Sequence, residues 1–187
     1  IETLQRNIPQ EYRSNGFDPE ESCLNLDIKM ETGTGKTYVY TKTIFEMHQK
    51  YGFNKFIIAV PSLAIKAGTE QFLNEPYARR HFADICGYGT EIETLVLEAP
   101  KSRKKGRSYF PGVVSEFVKG SCQNTKKIYV LLVNMQLLTN GKMLSRDDYD
   151  YGVEGFYRPL SAIAATKPVM IIDEPHRFSR DQKAFKV

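Results

Sequence analysis

Met30-Glu31-Thr32-Gly33-Thr34-Gly35-Lys36-Thr37 is the stretch from which the rest of this 187-residue chain is read. Before it, Asn25–Met30 reads as a short strand. After it, the chain from Lys36 to Tyr51 has neither Gly nor Pro, and Val39, Tyr40, Ile44, Phe45 and Met47 give it a largely apolar helical face that Gly52 ends. A Gly/Thr-rich turn between a strand and a helix is the context a phosphate cradle requires. Glycines let backbone N–H groups curl around phosphate oxygens without Cβ clashes, and the helix N-terminus adds unpaired N–H groups and the positive end of its dipole. Lys36 would reach the β and γ phosphates and the Thr37 hydroxyl would ligate Mg²⁺. Thr32, Gly33, Thr34, Gly35, Lys36 and Thr37 are therefore the candidate nucleotide-binding residues.

The strict form of this pattern has Gly six residues before the lysine, where this chain has Met30. That position is the entry from strand to loop rather than a phosphate contact. A chance Gly-Thr turn ahead of Lys-Thr is the competing reading, and the agreement of strand, loop and helix weighs against it.

Working outward, Lys55–Val60 (KFIIAV) is a short continuous apolar run suited to a strand buried on both faces of a parallel sheet. Pro61 closes it, Ser62 can cap a helix over Leu63–Leu73, and Pro76 stops that helix. Further strands are expected at Glu93–Leu97, Ile128–Val133 (IYVLLV) and Val169–Ile172 (VMII), and a short helix at Val113–Lys119. Residues 140–159, rich in Asp, Gly, Tyr and Arg, suit a surface excursion, and a short helix near Thr3–Arg6 opens the chain. Strands alternating with helices predict an α/β fold, a mainly parallel central sheet flanked by helices, with ligands at the carboxyl ends of the strands. Length and 41% hydrophobic content fit one domain spanning 1–187.

The last strand ends on Asp173-Glu174-Pro175-His176. Paired carboxylates there can divide two tasks, Asp173 meeting Mg²⁺ and Glu174 orienting or deprotonating the attacking water. Alone, an Asp-Glu pair is most often solvated surface. Coupled to the phosphate loop it becomes the second half of a nucleotide hydrolysis site, with His176 close behind. A P-loop kinase would use an acid after its second strand, so an Asp-Glu strand this late argues against that class.

Met-Glu-Thr-Gly-Thr-Gly-Lys-Thr at 30–37 and Ile-Ile-Asp-Glu-Pro-His-Arg-Phe at 171–178 resemble motifs I and II of superfamily 2 helicases. The DEPH form of the second motif, Met30 and the run Lys55–Lys66 make the chain look more narrowly like the Res subunit of Type III restriction–modification systems. The resemblance covers the whole chain, strongest at 24–70 and 168–178. It implies a RecA-like P-loop NTPase fold, ATP and Mg²⁺ as cofactors, and hydrolysis coupled to movement on double-stranded DNA. Lys36, Asp173, Glu174 and His176 would be catalytic, with Thr37 and Asp173 at the metal. Pro61–Ala64 looks like motif Ia and Val133–Thr139 like a later DNA-contacting motif, so Pro61, Ser62, Asn134 and Gln136 become DNA-binding candidates; without the family they are ordinary strand termini. Motor motifs of a second RecA-like domain and a nuclease site are not found, so the chain is expected to be a fragment of a larger subunit partnered by a DNA methyltransferase (Mod). Another superfamily 2 motor, from a Type I restriction subunit or a repair helicase, is the alternative. A non-enzymatic reading is that the piece only binds nucleotide weakly or supplies a surface.

Other features carry less. The formal charge of +4 does not demand a polyanionic partner. Lys101–Arg107 (KSRKKGR) is the densest basic run, read first as a solvated loop and second as a DNA backbone contact. Tyr109 and Phe110 beside it read as packing residues. Asp27-Ile28-Lys29 mimics half of a restriction nuclease site, but chance supplies about three such acid-x-base triplets in this composition. Gln5 or Gln10 is a weak candidate for reading adenine. Cys23, Cys86 and Cys122 are odd in number and form no C-x-x-C pair, which argues against a disulfide scaffold or zinc site. With no apolar run near the ~20 residues of a membrane span, a cytoplasmic protein is expected.

Overall fold

The computed structural model describes residues 26, 28–99, 109–120, 126–140 and 142–175. The chain falls into two compact units, Ile1–Lys36 and Thr37–Val187. In the first, Leu26 and residues 28–30 lie outside any strand, and Leu26 and Ile28 are exposed. The strand expected at Asn25–Met30 is thus not formed among the described residues, since apolar content alone does not make a strand without a paired neighbour.

The second unit is built on a four-stranded sheet. Its strands are β1 (Lys55–Val60), β2 (Glu91–Val96), β3 (Lys127–Asn134) and β4 (Val169–Ile172), in the order β2-β3-β1-β4. All three pairings are parallel. The apolar runs KFIIAV and IYVLLV occupy the two central strands, where both faces are covered, and every residue of β1 is buried.

Alternation along the strands feeds two core layers. Phe56, Ile58, Val60, Val130 and Leu132 point to one side and join Ile44, Phe45, Leu73 and Phe82. Ile57, Ala59, Leu131 and Val133 point to the other and join Val114, Phe117, Leu138, Leu144 and Ile163. The first layer is covered by α1 (Lys36–Tyr51), α2 (Leu63–Asn74) and α3 (Pro76–Arg80), followed by a π turn at His81–Ile85. The second is covered by α4 (Gly112–Lys119), α5 (Met135–Asn140), α6 (Lys142–Ser145) and α7 (Pro159–Ala165). This is the expected α/β, RecA-like arrangement.

Caps explain several boundaries. Ser62 accepts from the Ile65 amide at 3.3 Å and starts α2. Pro76 both ends α2 and opens α3 at its first turn, where its missing N–H costs nothing, with the Glu75 carboxylate accepting from the Tyr77 amide. Residues 140–159 depart from the surface excursion expected of them. Leu144, Tyr149 and Val153 are buried, Tyr149 donates to the Met143 carbonyl at 2.6 Å and its ring meets Phe110. Polar residues dilute this segment's pattern without removing its apolar anchors. Phe110 packs as expected, whereas Tyr109 is exposed.

At the amino end of β1, buried Lys55 donates to the Phe117 carbonyl in the last turn of α4, with its ammonium 4.3 Å from the Tyr129 ring centroid. A cation there complements the negative end of the α4 dipole. Gly120 makes room for it, because a Cβ at that position would lie 2.6 Å from Lys55 Nζ and 2.8 Å from the Tyr129 ring. Gly120→Ala should therefore destabilise the fold by about 1–3 kcal/mol through overpacking. Urea denaturation reads the midpoint, and an unchanged midpoint would show that Lys55 and Tyr129 yield freely.

Candidate functional site

Within the first unit, Thr32–Gly35 forms a tight loop leading into α1. Gly33 and Gly35 adopt φ of +81° and +87°, the left-handed region that side chains rarely enter, and nothing stands near where their Cβ atoms would be. Backbone conformation rather than crowding therefore calls for glycine. Thr34 braces the loop, its hydroxyl donating to the Glu31 carbonyl at 2.7 Å and its amide to the same oxygen at 3.4 Å. Lys36 is the first residue of α1, and the first turn of that helix carries no acidic side chain. Its positive dipole end is left uncompensated by its own turn, as anion binding requires.

Within the second unit, parallel register brings the other candidates to one rim. Val60 pairs with Asn134 and Ala59 with Ile172, and the Asp173 amide extends the ladder by donating to the Ala59 carbonyl at 2.9 Å. Pro61-Ser62, Asn134-Met135-Gln136 and Asp173-Glu174 thus follow the carboxyl ends of three adjacent strands. Asp173 and Glu174 are both half-buried, and Glu174 holds φ +55°. A non-glycine residue in that region costs about 1–3 kcal/mol, a strain typical of functional positions. The turn breaks the strand's alternation, so the two carboxylates need not face as neighbouring strand residues do.

Tyr40 ties α1 to α2. Its hydroxyl lies 3.1 Å from Thr69 Oγ1 on α2. Burial pushes the phenol above its ordinary range, hydrogen bonds from Thr37 and Thr69 pull it back, and the negative charge of Asp173 raises it further. Thr37 and Asp173 thus both influence this phenol, the one by a hydrogen bond and the other by its charge. Hydroxyl and carboxylate are hard oxygen donors, the type Mg²⁺ takes, and it commonly uses only one or two protein ligands beside phosphate. Among the described residues no group of three or more His, Cys, Asp or Glu is placed to hold a metal without such help.

The DNA candidates separate. Asn134 is buried and its side-chain oxygen accepts from the Gln136 amide at 2.9 Å, a capping role at the start of α5. Ser62 is engaged by its own cap, whereas Gln136 and Leu63 are exposed on the rim. Sequence reasoning missed Tyr40, hidden in the apolar face of α1, and Lys66. Lys66 is buried and donates to the Leu97 carbonyl at 2.5 Å; burial lowers its pKa, with Glu98 and Glu70 opposing. His176, Gln5, Gln10, Asp27 and Lys101–Arg107 lie outside the described residues.

The profile of the family described as "Type III restriction enzyme, res subunit" matches residues 4–187. Three curated relatives are similar. The Type III restriction-modification enzyme StyLTI Res subunit of Salmonella typhimurium is 45% identical over 87% of this chain and 16% of its own length. The EcoP15I Res subunit of Escherichia coli is 46% identical over 86% of this chain and 16% of its own. The EcoPI Res subunit of Escherichia phage P1 is 43% identical over all of this chain and 19% of its own. The chain thus spans less than a fifth of the length of each.

Proposed function

The chain belongs to the Type III restriction enzyme Res subunit family, and from that premise we propose that residues 1–187 form an ATP-hydrolysing motor domain of such a subunit. The observation that carries the reading is a loop with two left-handed glycines opening a helix whose first turn has no acid, together with Asp173 held at the sheet's carboxyl rim by the Ala59 carbonyl. Thr32–Gly35 would wrap the phosphates with backbone N–H groups, and Lys36 would neutralise the terminal ones. Mg²⁺, held by Thr37 and Asp173, would supply charge neutralisation at the β and γ phosphates. Glu174 orients the attacking water and accepts its proton, and His176 follows within the same motif.

Hydrolysis would be coupled to movement along double-stranded DNA. Gln136 and the Pro61-Ser62 turn offer small polar groups and backbone N–H groups for phosphate contacts that position without reading bases. A second RecA-like domain and an endonuclease domain in the same subunit, and a methyltransferase (Mod) partner that reads the site, complete the proposal. A cytoplasmic setting belongs to the same proposal; no described helix is long and apolar enough to cross a membrane.

The test is Mg²⁺-dependent ATPase activity in the full-length subunit with and without duplex DNA. Stimulation by duplex is expected, lost in Asp173→Asn. DNA-independent turnover, or turnover indifferent to Asp173, would remove the motor assignment.

A further inference from the structure

Cys86 takes no part in the roles assigned above, yet its sulfur meets two other chemically active atoms. Sγ lies 3.6 Å from His81 Nε2 and 3.9 Å from the Tyr38 hydroxyl, and that hydroxyl is 3.0 Å from the same Nε2. Local backbone explains the meeting. In an α-helix, residues five apart point about 140° away from one another. His81–Ile85 is instead a π turn, closed by the Cys86 amide donating to the His81 carbonyl at 3.1 Å, and this wider i→i+5 ring swings the two side chains together. Such turns are rare and are frequent at functional sites. The phenol is itself held by stacking on Phe82, with ring centroids 5.3 Å apart. All of these residues belong to the Thr37–Val187 unit.

A thiol within reach of an imidazole nitrogen, with a third polar group against that nitrogen, is the arrangement of a nucleophile and its base. Thiolate rather than thiol attacks electrophiles, so a neighbour that takes the proton as the new bond forms raises the rate. Reagents have a path to the sulfur. Cys86 and His81 are each only half-buried, and Ile85 and Gly87 on either side of the cysteine are exposed. Cys86 also packs against the first core layer, which anchors it without burying it.

We propose that Cys86 is a reactive thiol, a modification site for small uncharged electrophiles, with His81 as its base. With hydrogen peroxide as the electrophile, sulfur attacks one oxygen as the O–O bond breaks. The S–O bond forms, the thiol proton passes through Nε2 to the departing oxygen, and the products are a sulfenic acid and water. Sulfur is oxidised by two electrons and peroxide is reduced by two. Neither phosphate nor metal takes part.

The test is the rate at which iodoacetamide alkylates Cys86 in the full-length subunit at neutral pH, iodide leaving carbon as sulfur bonds to it, read by peptide mass spectrometry. Native Cys86 should label at least about tenfold faster than the same cysteine in the urea-unfolded chain, a comparison that needs no variant. His81→Gln and His81→Ala, which remove the base, should each slow the reaction by about tenfold. Peroxide followed by dimedone, which traps sulfenic acids, should tag Cys86 in the native protein and leave the same peptide of Cys86→Ser untagged. A native rate at or below that of the unfolded chain, or a folded His81 variant that reacts at the native rate, would show Cys86 to be an ordinary packing thiol.

Discussion

Glu174→Gln in the full-length subunit should leave Mg-ATP affinity near its native value and lower kcat by about 10²–10⁴-fold, the usual worth of a positioned general base. The substitution keeps the shape and removes only the capacity to accept a proton. Thr37 and Asp173, the residues assigned to the metal, are untouched, so ground-state binding has no reason to change. Nor should the fold suffer, because Gln meets the same left-handed backbone at φ +55° that Glu already endures. Glu174→Gly separates the two effects: it relieves the strain, raising stability by about 1 kcal/mol, and still abolishes turnover. Single-turnover hydrolysis with a parallel binding titration decides the matter. A native kcat in the Gln variant would take Glu174 out of the chemistry.

The place of that carboxylate, just past the end of a parallel strand, was readable in the sequence. The apolar runs at Lys55–Val60 and Ile128–Val133 admit only buried strands, and once parallel they put Pro61, Asn134 and Asp173 on one rim. Less of the flank between α2 and β2 was legible. A five-residue helix opened by Pro76 and a π turn have no apolar period to detect, so neither element gave a signal. Tyr40 was concealed for the opposite reason, its ring being counted in the apolar face of α1 while its hydroxyl hydrogen-bonds Thr69 on α2. Asn134 shows the limit of motif transfer, since its buried amide oxygen is engaged in starting α5. Residues 26 and 28–30 teach a similar lesson about strands, because apolar residues propose one and only a partner's ladder creates it.

Lys36→Ala should weaken Mg-ATP binding by about 100-fold, through loss of a charged hydrogen-bond donor at the phosphates. Alanine is the best helix former, so α1 should persist and the loss can be assigned to charge rather than to unfolding. Without the ammonium, the backbone N–H groups of the loop, the dipole of α1 and the proposed Mg²⁺ remain to meet the triphosphate. Lys36→Arg should not restore full binding, because a planar fork cannot stand in for a compact point charge in a loop shaped by two left-handed glycines. Titration with a fluorescent ATP analogue at several salt concentrations checks both variants. The native protein should show the steeper salt dependence, since its extra term is electrostatic and screened. Equal affinities across the three proteins would mean that the Thr32–Thr37 loop does not hold phosphate.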